Sequence, residues 1–287
     1  PGGDIVNNAA ISQGNITITS GSLTSNADLL TSVGGIANDA DLVLDGGTNN
    51  NVVTGSGDIE FTGTTTNNAS VTQANITNNG DLTNNAAMTG AVANTNNLTN
   101  NALITGDVTN SGTLTSNGTN IAGDIDNTGS YVITDGDNAN DITGATGTVT
   151  IQGNTTNTGT IDQDSISIAT GANLVASDMT VITTANGIDN AGTFEMQAGT
   201  NTNNISGNTG NTKVTGDVTN DSGVSISQGT IEISTLGTLT AYADDLTTVD
   251  GISNTGALKL NDGTNNNDIT GTGSLTIIGD VSNNGAV

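Results

Sequence analysis

Carboxylates are the abundant groups in this 287-residue chain that could do acid–base chemistry: it holds 28 acidic residues. It has no cysteine, histidine or tryptophan, and its basic residues are Lys213 and Lys259. Glycoside hydrolysis needs two carboxyl groups at a set separation. The sequence offers the adjacent pair Asp244 and Asp245, and the spaced pair Asp162 and Asp164. Ligand clefts are also lined by aromatic faces. Here the aromatics are Phe61, Tyr131, Phe194 and Tyr242, and the first three fall on the inward phase of their segments. Lyase chemistry on uronates needs a cationic group, which two lysines scarcely supply. The carboxylate pairs therefore read as solvated turn residues, and the chain is expected not to be an enzyme.

Metal binding is the next chemistry that acidic residues could serve. Asp135-Gly136-Asp137-Asn138 and the stretch from Asp262 to Asp268 offer oxygen ligands of the kind Ca2+ takes. The calcium-binding nonapeptide GGxGxDxxx does not occur. The expectation is no cofactor, with weak or diffuse Ca2+ binding at most. A net charge of −26 repels nucleic acid and anionic membranes, which are held by clustered Lys and Arg. No run reaches the roughly 18 apolar residues of a membrane helix, and no basic-then-apolar signal opens the chain. Any export signal is expected outside this stretch. Thr-x-Thr pairs such as Thr17/Thr19, Thr113/Thr115 and Thr148/Thr150 would suit a flat ice-binding array only if repeated in every rung, and they are not. They read as ordinary strand formers.

The elements that must position these groups announce themselves by repetition. Four nine-residue windows match: 47–55 (GTNNNVVTG), 136–144 (GDNANDITG), 199–207 (GTNTNNISG) and 263–271 (GTNNNDITG). Eleven residues before each stands Ile36, Ile125, Ile188 or Ile252; six residues after that isoleucine come Leu42, Tyr131, Phe194 and Leu258. The large unit is thus about 64 residues with one longer interval of 89, and repetition on this scale marks a solenoid. Inside the long interval a shorter period shows, in GAVAN (90–94), GDVTN (106–110) and GDIDN (123–127). The elementary turn is therefore about 16 to 22 residues.

Within each turn apolar and small polar residues alternate, as in Ile16-Thr17-Ile18, Ile59-Glu60-Phe61 and Ile231-Glu232-Ile233. Period two is strand periodicity, one face buried and one wet. Asn, Gly, Asp and Ser separate the segments and tolerate turn backbones. Strong helix formers are scarce. This predicts an all-β fold, a right-handed parallel β-helix (β-solenoid) of roughly 16 rungs, with strands stacked at about 4.8 Å and a rod on the order of 75 Å. One solenoid is expected over 1–287, with repeat units near 4–63, 64–153 (shorter rungs), 154–216 and 217–287. Ile36, Ile125, Ile188 and Ile252 are expected to line one inner column, and Leu42, Tyr131, Phe194 and Leu258 another. Runs such as Asn49-Asn50-Asn51 and Asn265-Asn266-Asn267 share a rung phase. Amides stacked on their copies would bond up and down the axis, as in fibril ladders. Asn also suits tight corners.

The stretches NITNNGDLTNN (75–85) and NLTNNALITGDVTNSGTLTSN (97–117), with the recurring GDVTN, resemble the passenger regions of bacterial autotransporters and large filamentous adhesins. The resemblance covers nearly the whole chain and implies a right-handed β-helix at the bacterial cell surface. On it the chain is expected to be an extracellular structural protein of a surface filament, adhesive fibre or biofilm matrix. The alternative is a stalk of a larger adhesin that binds host or neighbouring cells. The partners implied are a second copy end to end, other cell-surface polymers, or cells. The segments 3–11 (GDIVNNAAI) and 279–287 (GDVSNNGAV) have the same rung phase. They nominate Asp4, Ile5, Asn7 and Ile11 with Asp280, Val281, Asn283 and Val287 as a subunit interface, since uncapped solenoid ends associate.

Overall fold

The computed structural model describes residues 3–287 and falls into two compact units, Pro1–Val132 and Ile133–Val287. The fold is all-β, 59% strand and 4% helix, a parallel β-solenoid of about 16 turns, as the sequence predicts. The turn length also agrees. Met88 pairs with Ile104, a turn at the short end of the expected range, and Ile166 with Ile188, a turn at its long end.

In the first unit each side of a rung holds only a few residues, and longer strands such as Asp58–Asn67 serve two sides. Asp81–Asn84 reads exposed, buried, half-buried, buried, so both Leu82 and Asn84 point inward. It pairs with Asn97–Asn100, setting Leu82 beside Leu98 and Asn84 beside Asn100. One buried column runs Ile36, Val53, Val71, Met88 and Ile104. Another runs Leu23, Leu42, Ile59, Ile76, Val92, Val108 and Ile125. All these side chains are buried. Burying each such residue is worth roughly 1.5–3 kcal/mol, which is what holds the rungs together sideways.

These columns correct both expected columns: Leu258 stacks on Leu239 and not in the column of Phe194, and the isoleucines divide in the same way. Ile125 lies in the column of Leu42, not that of Ile36. The second unit shows the reason. Its column runs Ile188, Ile205, Ile226, Leu246, so three turns from Ile188 end at Leu246. The sequence repeat leads from Ile188 to Ile252 instead, one side further round. Ile252 stacks in the column of Phe194, Thr212 and Ile231. The repeat is a whole number of turns plus one side, so matching residues of successive copies occupy different columns.

Among the described residues four single-turn 3-10 helices stand at Ala27–Leu29, Gly118–Asn120, Met179–Val181 and Ala243–Asp245. The first three are capped by Asn26, Asn117 and Asp178, whose side chains accept the N–H two residues on. The glycine that closes each nine-residue window is fixed by its neighbours. Gly55 and Gly207 have φ of 137° and 136°. A Cβ on either would run into the carbonyl oxygen of Asn38 or Asn190, one rung away. Gly55→Ala is therefore expected to cost at least about 2 kcal/mol in urea unfolding of the full chain. Gly14→Ala, where a Cβ meets nothing within 4 Å, should change the midpoint little.

Candidate functional site

The inward asparagines form continuous ladders of amides. Asn49 Nδ2 donates to Asn67 Oδ1, Asn67 to Asn84 and Asn84 to Asn100, each at 2.8 Å. Asn100 ends the series on the Ser116 hydroxyl at 3.2 Å. A second ladder runs Asn78 to Asn94 (2.7 Å), Asn94 to Asn110 (2.6 Å) and Asn110 to Asn127 (2.7 Å). The second unit repeats the step from Asn138 to Asn157, Asn201 to Asn220 and Asn265 to Asn283, each at 2.7 Å. Most of these amides also donate to a carbonyl two residues on, as Asn49 does to Asn51 O (3.0 Å) and Asn265 to Asn267 O (2.9 Å). A carboxamide has two N–H donors, so here the rung above and the local turn satisfy both. That is why a polar residue can line the bore.

A parallel ladder on the surface runs the other way. Asn68 donates to Asn50 (3.3 Å), Asn85 to Asn68 (3.0 Å) and Asn101 to Asn85 (2.9 Å). The asparagine at the fifth position of three of the windows is a buried corner brace. Asn51, Asn203 and Asn267 donate to the carbonyls of Leu30, Ile182 and Leu246 at 2.8–2.9 Å. Their Oδ1 atoms accept the N–H of Ser32, Thr184 and Thr248 at 2.8 Å.

Sequence reasoning missed the buried glutamines. Asn38 Nδ2 reaches Gln73 Oε1 at 2.6 Å, and Asn190 reaches Gln228 at 2.7 Å, two rungs away. The rung between supplies only glycine at that place: a Cβ on Gly210 would sit 2.8 Å from both Asn190 Nδ2 and Gln228 Oε1. A signal was available in Val71-Thr72-Gln73 and Ile226-Ser227-Gln228, matched by Ile11-Ser12-Gln13 and Ile161-Asp162-Gln163.

The carboxylates proposed from sequence act as clamps between rungs. Asp244 accepts from Thr264 N (2.8 Å), Asp245 from Gly223 N (3.0 Å) and Asp164 from Asn186 Nδ2 (2.7 Å). Asp162 points outward. Asp135 accepts from Asn154 N (3.0 Å), Asp262 from Asp280 N (2.7 Å) and Asp268 from Ala286 N (2.8 Å). Asp137 is exposed. Among the described residues no three acidic side chains gather to hold a metal ion. Phe61, Tyr131 and Phe194 are fully buried and Tyr242 half-buried. Burial pushes the Tyr131 phenol up beyond the ordinary tyrosine range.

Of the nominated interface residues, Ile5, Asn7, Ile11, Asp280, Val281 and Asn283 lie on strands with one open edge, and Asp4 and Val287 lie outside them. Ile5–Asn7 pairs with Ser22–Ser25, Ile11–Gln13 with Leu30–Ser32, and Ser274–Asn283 with Ala257–Asn265. Among the described residues no strand pairs with their other edges. Asp4 accepts from the Ser22 hydroxyl at 3.0 Å. Ile5 is 60% and Val287 74% exposed. The chain matches no protein-family model, no curated protein and no solved structure. Among the described residues no helix is long and apolar enough to cross a membrane.

Two outcomes test this geometry. Asn84→Ala strands a donor on Asn67 and an acceptor on Asn100, so it is expected to cost roughly 2–4 kcal/mol in urea unfolding, against under about 1 for Asn85→Ala on the surface. Asp141 offers a pH-dependent test of one such clamp. The Thr160 N–H, at 2.9 Å, and hydroxyl hold its carboxyl below the usual 3.8. A lowered folded pKa stabilises above the unfolded value and is lost as pH falls through the folded one. Asp141→Asn should therefore lower the melting temperature at pH 7, and the gap should narrow below pH 3.8. A gap equal at both would contradict the clamp.

Proposed function

We propose that this chain is an extracellular, non-enzymatic structural β-solenoid, a subunit or segment of a bacterial surface filament or adhesive matrix fibre. Its work is reach and contact, borne by hydrogen bonds along the axis. The observation that carries this reading is the set of buried rung-to-rung amide bonds, continuous over several rungs in the first unit and single steps in the second, together with terminal strands that pair along one edge among the described residues. An open strand edge is a template for another strand. A contact that continues the rung is heterologous and propagates without closing. Of the carboxylates that could have served an enzyme, Asp244, Asp245 and Asp164 hold a neighbouring rung, which supports the structural reading.

The same open edges serve a second reading, favoured by the resemblance to autotransporter passengers: a stalk in a larger adhesin, continued by further rungs of its own chain. In either case other surface polymers or cells are the partners. Negative-stain microscopy of the purified chain separates the two: long uniform fibres for the filament, isolated short rods for the stalk. Turnover of any neutral or acidic glycan would overturn both. Because each copy carries −26, fibre growth should also accelerate as added salt shortens the Debye length from about 30 Å at 0.01 M to about 3 Å at 1 M. Slower growth in salt would contradict a contact opposed by like charge.

A further inference from the structure

We infer that Asn186 is a site of spontaneous deamidation, and that its conversion to aspartate sets two carboxylates against each other across adjoining rungs, loosening one corner of the second unit. The chemistry is the same whether the chain serves a filament or a stalk.

Three turns of the chain share one build. Residues 32–35, 184–187 and 248–251 read Ser-Val-Gly-Gly, Thr-Ala-Asn-Gly and Thr-Val-Asp-Gly. Each opens on an N–H held at 2.8 Å by the side chain of Asn51, Asn203 or Asn267. Each closes on a glycine, with φ of 86°, 89° and 92° in turn. The third residue of each turn donates its backbone N–H to the rung before: Gly34 to Gly14 O (2.7 Å), Asn186 to Asp164 O (2.7 Å) and Asp250 to Gly229 O (2.9 Å). Asp250 therefore stands where Asn186 does, so the turn itself accepts aspartate. What differs is the residue of the rung before. Gly34 and Asp250 each meet a glycine there, whereas Asn186 meets Asp164, whose Oδ1 accepts Asn186 Nδ2 at 2.7 Å.

Asparagine before glycine is chemically labile, because glycine carries no side chain to keep its nitrogen away from the carboxamide carbon. The Gly187 nitrogen gives up its proton and bonds to Asn186 Cγ. The Cγ–Nδ2 bond breaks, and ammonia leaves with that proton. Water then opens the cyclic imide. Cleavage of the new bond leaves aspartate; cleavage of the original peptide bond leaves isoaspartate, with the chain rerouted through Cγ. One water enters and one ammonia departs.

The sequence holds four Asn-Gly pairs, beginning at Asn79, Asn117, Asn186 and Asn284. At Asn79 both ends of the carboxamide are tied: Nδ2 donates to Glu60 Oε1 and Oδ1 accepts from the Thr95 hydroxyl, each at 2.7 Å. The Gly80 N–H is tied as well, to Asn78 Oδ1 at 3.3 Å. At Asn117 the carboxamide oxygen caps a 3-10 turn, accepting the Thr119 N–H (3.0 Å) and hydroxyl (2.7 Å). Asn284 donates to Asn266 at 2.9 Å, so its conversion opposes no carboxylate. Asn186 is exposed, and its side chain bonds to Asp164 alone. Among the described residues nothing holds the Gly187 N–H. The reaction meets little restraint there, and its product has a marked effect. The donor to Asp164 becomes a second carboxylate one rung away, in a chain already at −26.

Peptide mass spectrometry of the full chain, stored in mildly alkaline buffer, reads the mass gain at each pair. Asn186 should convert about tenfold faster than Asn79 or Asn117, whose extra bonds must break first. Equal or slower conversion at Asn186 would overturn the assignment. Thermal unfolding reads the consequence separately. Asn186→Asp should lower the melting temperature, and adding Asp164→Asn should restore most of the loss, with Asp164→Asn alone completing the cycle. An Asn186→Asp chain that melts with the unsubstituted one, or a double variant that melts no higher than Asn186→Asp alone, would overturn the clash.

Discussion

A buried carboxamide in a solenoid has few places to find a partner: the turn it belongs to, and the rungs above and below. The bore of this protein accepts asparagine at inward positions because each rung offers the next an identical group in the same phase. Asn49, Asn67, Asn84 and Asn100 each use one N–H on the following rung, and Asn49 and Asn100 the other on their own turn. An unpaired buried amide costs about 1–3 kcal/mol, so one misplaced rung would be penalised above and below. That constraint explains why register holds through long stretches whose residues are otherwise so plain. It also explains the low tolerance for anything larger than glycine where the chain passes beneath Asn38 and Asn190.

The acidic residues follow the same rule from outside. Asp28 accepts the Thr48 N–H at 2.9 Å, Asp39 the Ser56 N–H at 3.0 Å and Asp244 the Thr264 N–H at 2.8 Å. Each carboxylate closes a corner of the adjoining rung. A chain of −26 with two lysines gains little from ion pairing, so its negative charge is tolerated by directing it at backbone donors. The repulsion that remains makes ionic strength a control on any association between copies.

Much of the fold is legible in the sequence, because a solenoid writes its geometry locally. Alternation in Ile59-Glu60-Phe61 reports which residues face inward, and the recurrence of GDVTN reports the length of a turn. The amide ladder is legible too, from asparagines at one phase. Three features are not. The remainder that moves Ile252 out of the column of Ile188 is hidden because a sequence repeat need not be a whole number of turns. The struts from Asn38 to Gln73 and from Asn190 to Gln228 span two rungs, and glycines at the rung between leave no side chain to hint at them. The clamping role of Asp244 and Asp245 depends on which N–H lies a turn away, which neither residue type nor neighbours reveal. Spacing alone offered them equally as a catalytic pair.

The account depends most directly on the buried amides being bonded from rung to rung. Side-chain amide hydrogen exchange, followed by NMR in the full chain, tests this without perturbing it. The carboxamide protons of Asn67, Asn84 and Asn100 should exchange as slowly as the backbone N–H groups of their own strands, and far more slowly than those of the exposed Asn50. Exchange of Asn84 as fast as Asn50 would contradict the ladder, and with it the explanation of how these rungs are held.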